Sequence, residues 1–167
     1  SLKRFEYARL FRKGRSAVTG VLAAGYRTPQ WLIQRGVPEE KIFPFAYFLE
    51  KSEPVKAIVE PIGPFRFVFV GQFIPRKRLN CLIAALGTFT DQDFELVVIG
   101  SGPLEEVLRT QAAKILGEKV NWIGKLPSKE VRAYIAASDC LVLPSLFDGW
   151  GAVVSEALMC GTPVICS

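Results

Sequence analysis

The sequence predicts an α/β domain built on a parallel sheet with helices on both faces, a Rossmann-like arrangement. Three observations lead there. From residue 65 onward, runs of β-forming residues alternate with stretches whose apolar residues fall three and four apart. Each pair of successive runs is separated by enough chain for a helical crossover, which makes the strands parallel. The runs are nearly continuous in hydrophobics, as strands covered on both faces are.

Taken in order, residues 65–70 read as a strand, followed by a helix with Leu79, Leu82, Ile83 and Leu86 on one face. Residues 94–99 form the next strand and precede a helix marked by Leu104, Val107, Leu108 and Ile115. Residues 120–123 precede a helix marked by Val131, Tyr134 and Ile135; residues 140–143 lead into a helix through Val153, Val154, Ala157 and Leu158; residues 163–166 form the last strand. Upstream, 17–25 reads as a strand, 28–35 as a helix and 42–45 as a short strand. Residues 48–64 carry Pro54, Pro61 and Pro64 with little periodicity, the composition of a linker. The expected organisation is therefore a tail of a preceding domain over 1–47, a linker over 48–64 and the Rossmann-like domain over 65–167. That domain is expected to be incomplete at its C-terminus, because a doubly wound sheet ordinarily continues past its fifth strand. Ser1 is not expected to be a native start.

Composition narrows the chemistry. The chain has 167 residues, half of them hydrophobic, with four cysteines and no histidine. A Ser-His-Asp triad, a histidine base and most zinc sites are thereby excluded. Cys81, Cys140, Cys160 and Cys166 lie in apolar runs without C-x-x-C spacing and are expected to be buried thiols in a reducing, cytoplasmic setting. No apolar run has the length of a membrane span. Lys3, Arg4, Arg9, Arg12, Lys13 and Arg15, against Glu6 alone, account for the whole formal charge of +5. With Leu2, Phe5, Leu10 and Phe11, this stretch is read as a solvated helix packing its apolar side. The alternative is peripheral contact with the anionic inner face of a membrane. A nucleic-acid partner is not expected, since the rest of the chain is charge-balanced and carries no reading motif.

Ligands of open parallel sheets bind at the carboxyl ends of the strands, so the loops there carry the candidate site. After the first strand comes Gly71-Gln72-Phe73-Ile74-Pro75-Arg76-Lys77-Arg78. Three cations at a helix start oppose the helix dipole, which a bound diphosphate would explain better than a purely structural role. After the second comes Gly100-Ser101-Gly102-Pro103, where glycines allow close approach and Pro103 suits a first helical turn. A glycine turn that merely starts the helix is an equal reading, and Glu105 stands where a dinucleotide fingerprint needs its third glycine. After the third, Ile123 and Gly124 offer backbone against which a base can rest. The fourth loop, Asp148-Gly149-Trp150-Gly151-Ala152, opens a helix containing Glu156. Free N–H groups at a helix N-terminus suit phosphate, and carboxylates accept hydrogen bonds from hydroxyls. Glu156 sits in so apolar a helix that ligand hydroxyls are a better explanation than a solvated face.

These motifs, in this order, resemble the C-terminal, nucleotide-sugar-binding half of family 4 retaining glycosyltransferases with the GT-B fold. Val70-Gly71 with Lys77 is similar to the family's G-R-x-x-x-x-K loop, and Val98-Ile99-Gly100-Ser101-Gly102-Pro103-Leu104 to its G-x-G-P-L turn. Asn121-Trp122-Ile123-Gly124, Pro144-Ser145, the acidic-x7-Glu pair Asp148 and Glu156, and Gly161-Thr162-Pro163-Val164-Ile165 follow in family sequence. Upstream, Gly36-Val37-Pro38-Glu39-Glu40-Lys41-Ile42 resembles the segment closing the family's N-terminal domain.

The resemblance implies a nucleoside-diphosphate sugar as donor and hexosyl transfer with retention, with no metal and no other cofactor. The acceptor would be a glycan, a glycolipid or a small molecule. It implies Lys77, Asp148 and Glu156 as the catalytic set. Lys77, with Arg76, would contact the diphosphate, Asp148 the transferred sugar, backbone over 149–152 phosphate or sugar, and Glu156 the ribose. Gly71, Gln72, Gly100, Gly102, Ile123 and Gly124 would complete donor binding. Gln72 stands where the family has Arg, removing a bidentate phosphate donor, and Asp148 stands where Glu is commoner. A non-catalytic nucleotide-sugar-binding module is the alternative. Asp91-Gln92-Asp93 matches the D-x-D of a different glycosyltransferase fold but precedes a strand, on the wrong side of the sheet.

Overall fold

The computed structural model describes residues 5–6, 8–10, 17–46, 63–89 and 91–167, and the chain divides into two compact units, Ser1–Leu49 and Glu50–Ser167. Most of the basic stretch over 1–15 and nearly all of the expected linker lie outside the described residues. Phe5 and Leu10, which are described, are exposed.

In the first unit, β1 (Val21–Ala24) pairs in parallel with β2 (Ile42–Phe45), Val21 opposite Ile42 and Ala24 opposite Phe45. Helix α1 (Thr28–Ile33), followed by a 3-10 turn over Glu39–Lys41, makes the crossover. The helix ends sooner than the expected 28–35. Gly36 takes a left-handed φ of 84°, and Val37 N–H then bonds back to the Leu32 carbonyl at 3.2 Å, a glycine-terminated helix end. Ala23, Leu32 and Val37 form a small core with Val21 and Ile42 packed against it.

The second unit holds the five-stranded sheet. Its strands are β3 (Phe65–Val70), β4 (Phe94–Ile99), β5 (Val120–Gly124), β6 (Cys140–Leu143) and β7 (Val164–Cys166). They lie in the order β5-β4-β3-β6-β7, all parallel, with Phe67 opposite both Leu96 and Cys140. Alternating side chains divide the core in two, as the strand period requires. On one face Phe69, Phe94, Leu96, Val98, Cys140 and Val142 pack under α2 (Leu79–Leu86) and α3 (Glu105–Leu116). On the other, Val68, Val97, Ile99 and Leu141 pack under α4 (Ser128–Ala136) and α5 (Ala152–Met159). Each fully buried large side chain, such as Phe69 or Ile83, stabilises the fold by about 1.5–3 kcal/mol.

Some expectations are corrected here. Helix α3 starts at Glu105, not in the turn containing Pro103, because the Leu104 N–H is drawn to the Phe73 carbonyl at 3.1 Å. Its buried stripe is Leu108, Ala112 and Leu116, which turns Val107 outward to 66% exposure. All four cysteines are free thiols, but only Cys140 is buried, and Cys166 on β7, the outermost of the described strands, is exposed. The acidic turn at Asp91 and Asp93 lies at the amino end of the sheet, where the Asp93 carbonyl accepts the Phe65 N–H.

Candidate functional site

Strand order reverses at β3. The chain steps outward from β3 to β4 and β5, then crosses to the other side of β3 to lay down β6 and β7. The loops leaving β3 and β6 therefore diverge into opposite layers, and the crevice between them is where a doubly wound sheet takes its ligand.

The loop after β3 folds as a 3-10 turn over Pro75–Lys77, and Arg78 then starts α2 from a left-handed φ of 52°. Arg76 and Lys77 thus stand on a separate turn and do not oppose the α2 dipole directly, which revises the expectation of cations at a helix start. They reach across the crevice to the loop after β6. Lys77 Nζ lies 2.5 Å from Asp148 Oδ2, and Arg76 Nη1 lies 3.1 Å from Oδ1. Arg76 also donates to the Phe147 carbonyl at 2.8 Å, and the Leu146 N–H donates to the Arg76 carbonyl at 2.9 Å. Ser145, only 2% exposed, donates to Asp148 Oδ2 at 3.1 Å. Burial pushes the Asp148 carboxyl up, but the hydrogen bonds from Lys77, Ser145 and Arg76 outweigh it and hold it below its ordinary 3.8.

Past Asp148, Gly149 has open space around its Cα, and Gly151 takes a φ of 66° as the residue that caps α5. Trp150 is half-buried between them, and Ala152 begins the helix. The Val154 N–H donates to the Gly151 carbonyl at 2.8 Å, and the N–H groups of Ala152 and Val153 ahead of it are the ones that a helix start offers to an anion. Glu156 lies one turn further along α5. Burial raises its carboxyl above the usual 4.5, with Arg132 pulling the other way. Among the described residues no side chain donates a hydrogen bond to it at hydrogen-bonding distance.

The glycines after β4 have a structural reason to be glycines. A Cβ on Gly100 would stand 1.9 Å from the Gly71 carbonyl oxygen, and one on Gly102 2.6 Å from the Phe73 nitrogen. The two loops are stitched by Gly71 N–H to the Ile99 carbonyl and Phe73 N–H to the Ser101 carbonyl. Beside that seam opens a cleft of about 510 Å³, lined by Gly71, Gln72, Ser101, Gly102, Lys125 and Val131 among others. Gly71 joins this cleft to the cation turn, since its absent Cβ would lie 3.7 Å from Lys77 Cδ.

The structure places the expected residues in two adjoining groups: Gly71, Gln72, Gly100 and Gly102 around the cleft, and Arg76, Lys77 and Asp148 across the crevice. Ile123 and Gly124 do not line the cleft. Ile123 packs into the core, and the Gly124 carbonyl is taken by the Gly100 N–H at 2.8 Å, so Lys125 and Leu126 form that edge instead. Lys125 and Ser145 have no role in the reading of the sequence, though Ser145 belongs to one of its motifs. The signal for Lys125 is its place directly after the glycine ending β5; Ser145 belongs to a Pro-Ser pair whose hydroxyl partner lies three residues on.

A Rossmann-like sheet with this strand order and these loop motifs is the arrangement of a GT-B-type nucleotide-binding half. The chain belongs to the family described as Glycosyl transferases group 1, which matches residues 51–167. D-rhamnosyltransferase WbpZ of Pseudomonas aeruginosa is 34% identical over 111 residues, covering 65% of this chain and 28% of the relative. Amylovoran biosynthesis glycosyltransferase AmsK of Erwinia amylovora is 30% identical over 146 residues, covering 81% of this chain and 36% of the relative. The chain thus spans about a third of the length of these curated relatives. Among solved structures, the UDP complex of Anabaena Alr3699/HepE superposes with a TM-score of 0.76 at 20% identity, over 99% of this chain and 50% of that one. The lipopolysaccharide outer core galactosyltransferase WaaB does so with 0.74 at 23%, over 89% and 43%. At these identities the structural likeness concerns the fold.

Proposed function

We propose that this chain supplies the donor-binding part of a retaining glycosyltransferase that uses a nucleoside-diphosphate sugar. The observation that carries the reading is the meeting of Arg76 and Lys77 with the loop that opens α5, at the point where strand order reverses. A departing nucleoside diphosphate accumulates negative charge, and cations already fixed beside a helix N-terminus stabilise it without reorganising. Lys77, held with its side chain only 12% exposed, is the principal donor to the diphosphate, and Arg76 replaces part of what Gln72 does not provide. This reading assigns the leaving-group charge to protein cations and backbone N–H groups and calls for no metal or other cofactor. Asp148 holds hydroxyls of the transferred sugar, and Glu156, with no protein donor among the described residues, accepts the two ribose hydroxyls. The base lies in the cleft between the β3 and β4 loops, against Gly100, Gly102 and Lys125.

A neighbouring structure supports a nucleotide-sugar donor: Anabaena Alr3699/HepE is seen in complex with UDP-glucose. Relatives are named as rhamnosyl-, glucosyl- and mannosyltransferases, so the motifs are compatible with several hexosyl donors. Relatives named for O-antigen chain and amylovoran synthesis point to a growing polysaccharide as acceptor. The basic stretch over 1–15 has the charge to meet anionic lipid, which would hold the chain at the cytoplasmic face of a membrane; a solvated helix is the other reading of it.

Calorimetric titration with UDP, GDP and ADP tests the donor site. One nucleotide binds, on the order of tens of micromolar to millimolar, and Lys77→Ala and Glu156→Ala each weaken it at least tenfold. Binding that both variants leave unchanged would overturn the assignment. Gln72 favours a second reading, a binding module without transfer. Saturable nucleotide binding with no sugar transfer by the parent protein would establish that one.

A further inference from the structure

Asp148 is bound three ways, and two of its partners are the cations that the donor reading assigns to the diphosphate. Oδ1 accepts from Arg76, and Oδ2 accepts from both Lys77 and Ser145. The carboxylate is 22% exposed and Lys77 12%, so the pair is shielded from the water that would otherwise screen it. The flanking backbone holds the two loops in register for this contact, through the Leu146 N–H and the Phe147 carbonyl.

We infer that Asp148 is an internal stand-in for the donor's phosphates, and that by competing for Lys77 and Arg76 it selects nucleotide sugar over bare nucleoside diphosphate. The inference rests on the donor-site reading above. A diphosphate that enters this crevice must displace the carboxylate from both cations. When a sugar is attached, its hydroxyls donate to the displaced Asp148 and compensate the lost ion pairs. When the sugar has gone, nothing compensates them, the carboxylate returns to the cations and the diphosphate is driven out. A ligand's apparent affinity falls by the fraction of sites open to it. A carboxylate that occupies the cations nine-tenths of the time therefore weakens a bare diphosphate about tenfold. Selectivity of this kind comes from an element that opposes the wrong ligand.

The test uses the whole chain with two probes, inorganic pyrophosphate and UDP, titrated calorimetrically into the wild type, Asp148→Asn, Lys77→Ala and Glu118→Gln. Asp148→Asn keeps the shape but loses the charge, and should bind both probes about tenfold more tightly. Glu118 makes the same charge change in the turn before β5, at the opposite end of the sheet, and its variant should match the wild type. Unchanged or weaker binding by Asp148→Asn overturns the inference, and so does equal tightening by Glu118→Gln, which would reveal only a general field effect. If Lys77→Ala loses the probes while Asp148→Asn fails to tighten them, the donor site stands and only the stand-in role falls. If Lys77→Ala binds as the wild type does, or no protein binds either probe, both readings fall. Ser145→Ala guards against misfolding of Asp148→Asn. It removes one anchor of the carboxylate and should tighten pyrophosphate in the same direction by a smaller factor, whereas no change in a folded Ser145→Ala counts against the inference.

Discussion

Asp148 and Glu156 are two carboxylates of one loop and helix whose environments pull in opposite directions. For Asp148, burial is overcome by Lys77, Ser145 and Arg76, so its ionised form is favoured on folding. That contribution to stability is present above the ordinary 3.8 and lost as pH falls through the lowered folded value. For Glu156, burial dominates and Arg132 only partly offsets it, so ionisation opposes folding. The cost is present at neutral pH and relieved as pH falls through the raised value. Glu156→Gln should therefore raise the thermal midpoint at pH 7 while weakening nucleotide binding. A melt and a titration on the same preparation check both halves. A variant that loses stability along with binding would mean that Glu156 is part of the scaffold. Of these residues, the candidates themselves were legible, because acids in an apolar helix and cations at a loop are chemically conspicuous. Their pairing was not, since 71 residues separate Lys77 from Asp148 and no local pattern reports which distant side chains meet.

The loops after β3 and β4 behave as one body. Gly100 and Gly102 exist in the form they do because backbone fills the space where side chains would begin, and three backbone hydrogen bonds join the loops, donated by the N–H groups of Gly71, Phe73 and Leu104. Gly100→Ala would drive a methyl into the Gly71 carbonyl and force a φ of 141° on a residue that resists it. We expect a loss of about 2–4 kcal/mol in urea denaturation, with nucleotide binding impaired in the fraction that stays folded. The glycine-rich turn was visible from sequence as a turn. Its partner was not, and that is why ligand contact and a structural role read as equal there. Helix ends show the same limit. The strands over 65–70, 94–99 and 140–143 are matched to the residue because their runs of β-forming apolar residues are broken only by Arg66 and Glu95, whereas α3 starts late because a carbonyl on a neighbouring loop captures Leu104.

Taken as a whole, the 50–167 unit was readable because its alternation of runs is repeated, and repetition averages out local error. Five strands and four helices appear in the expected order. What escaped were properties fixed by packing, such as the turning of Val107 away from the core. The two-layer core predicts that its centre is the most costly place to cut. Ile83→Ala, fully buried under the β3–β4 face, should cost about 3–5 kcal/mol in urea denaturation, against less than 1 kcal/mol for Val107→Ala.

The first strand laid down in this unit becomes its central one, with later strands added on both flanks. That ordering has a kinetic meaning. β3, β4 and α2 are neighbours in the chain and can associate early, but the crevice is closed only when β6 returns across a span of some seventy residues to lie against β3. Long-range pairing of this type is slow to form. Nucleotide affinity should therefore be the last property to appear during refolding, lagging the burial of Trp122 against Phe73 in the earlier half of the sheet. In stopped-flow terms, a fluorescent nucleotide would report on completion, and the emission of Trp122, with Trp31 and Trp150 replaced by Phe, on the beginning. A molecule interrupted between the two would look largely folded and hold nothing.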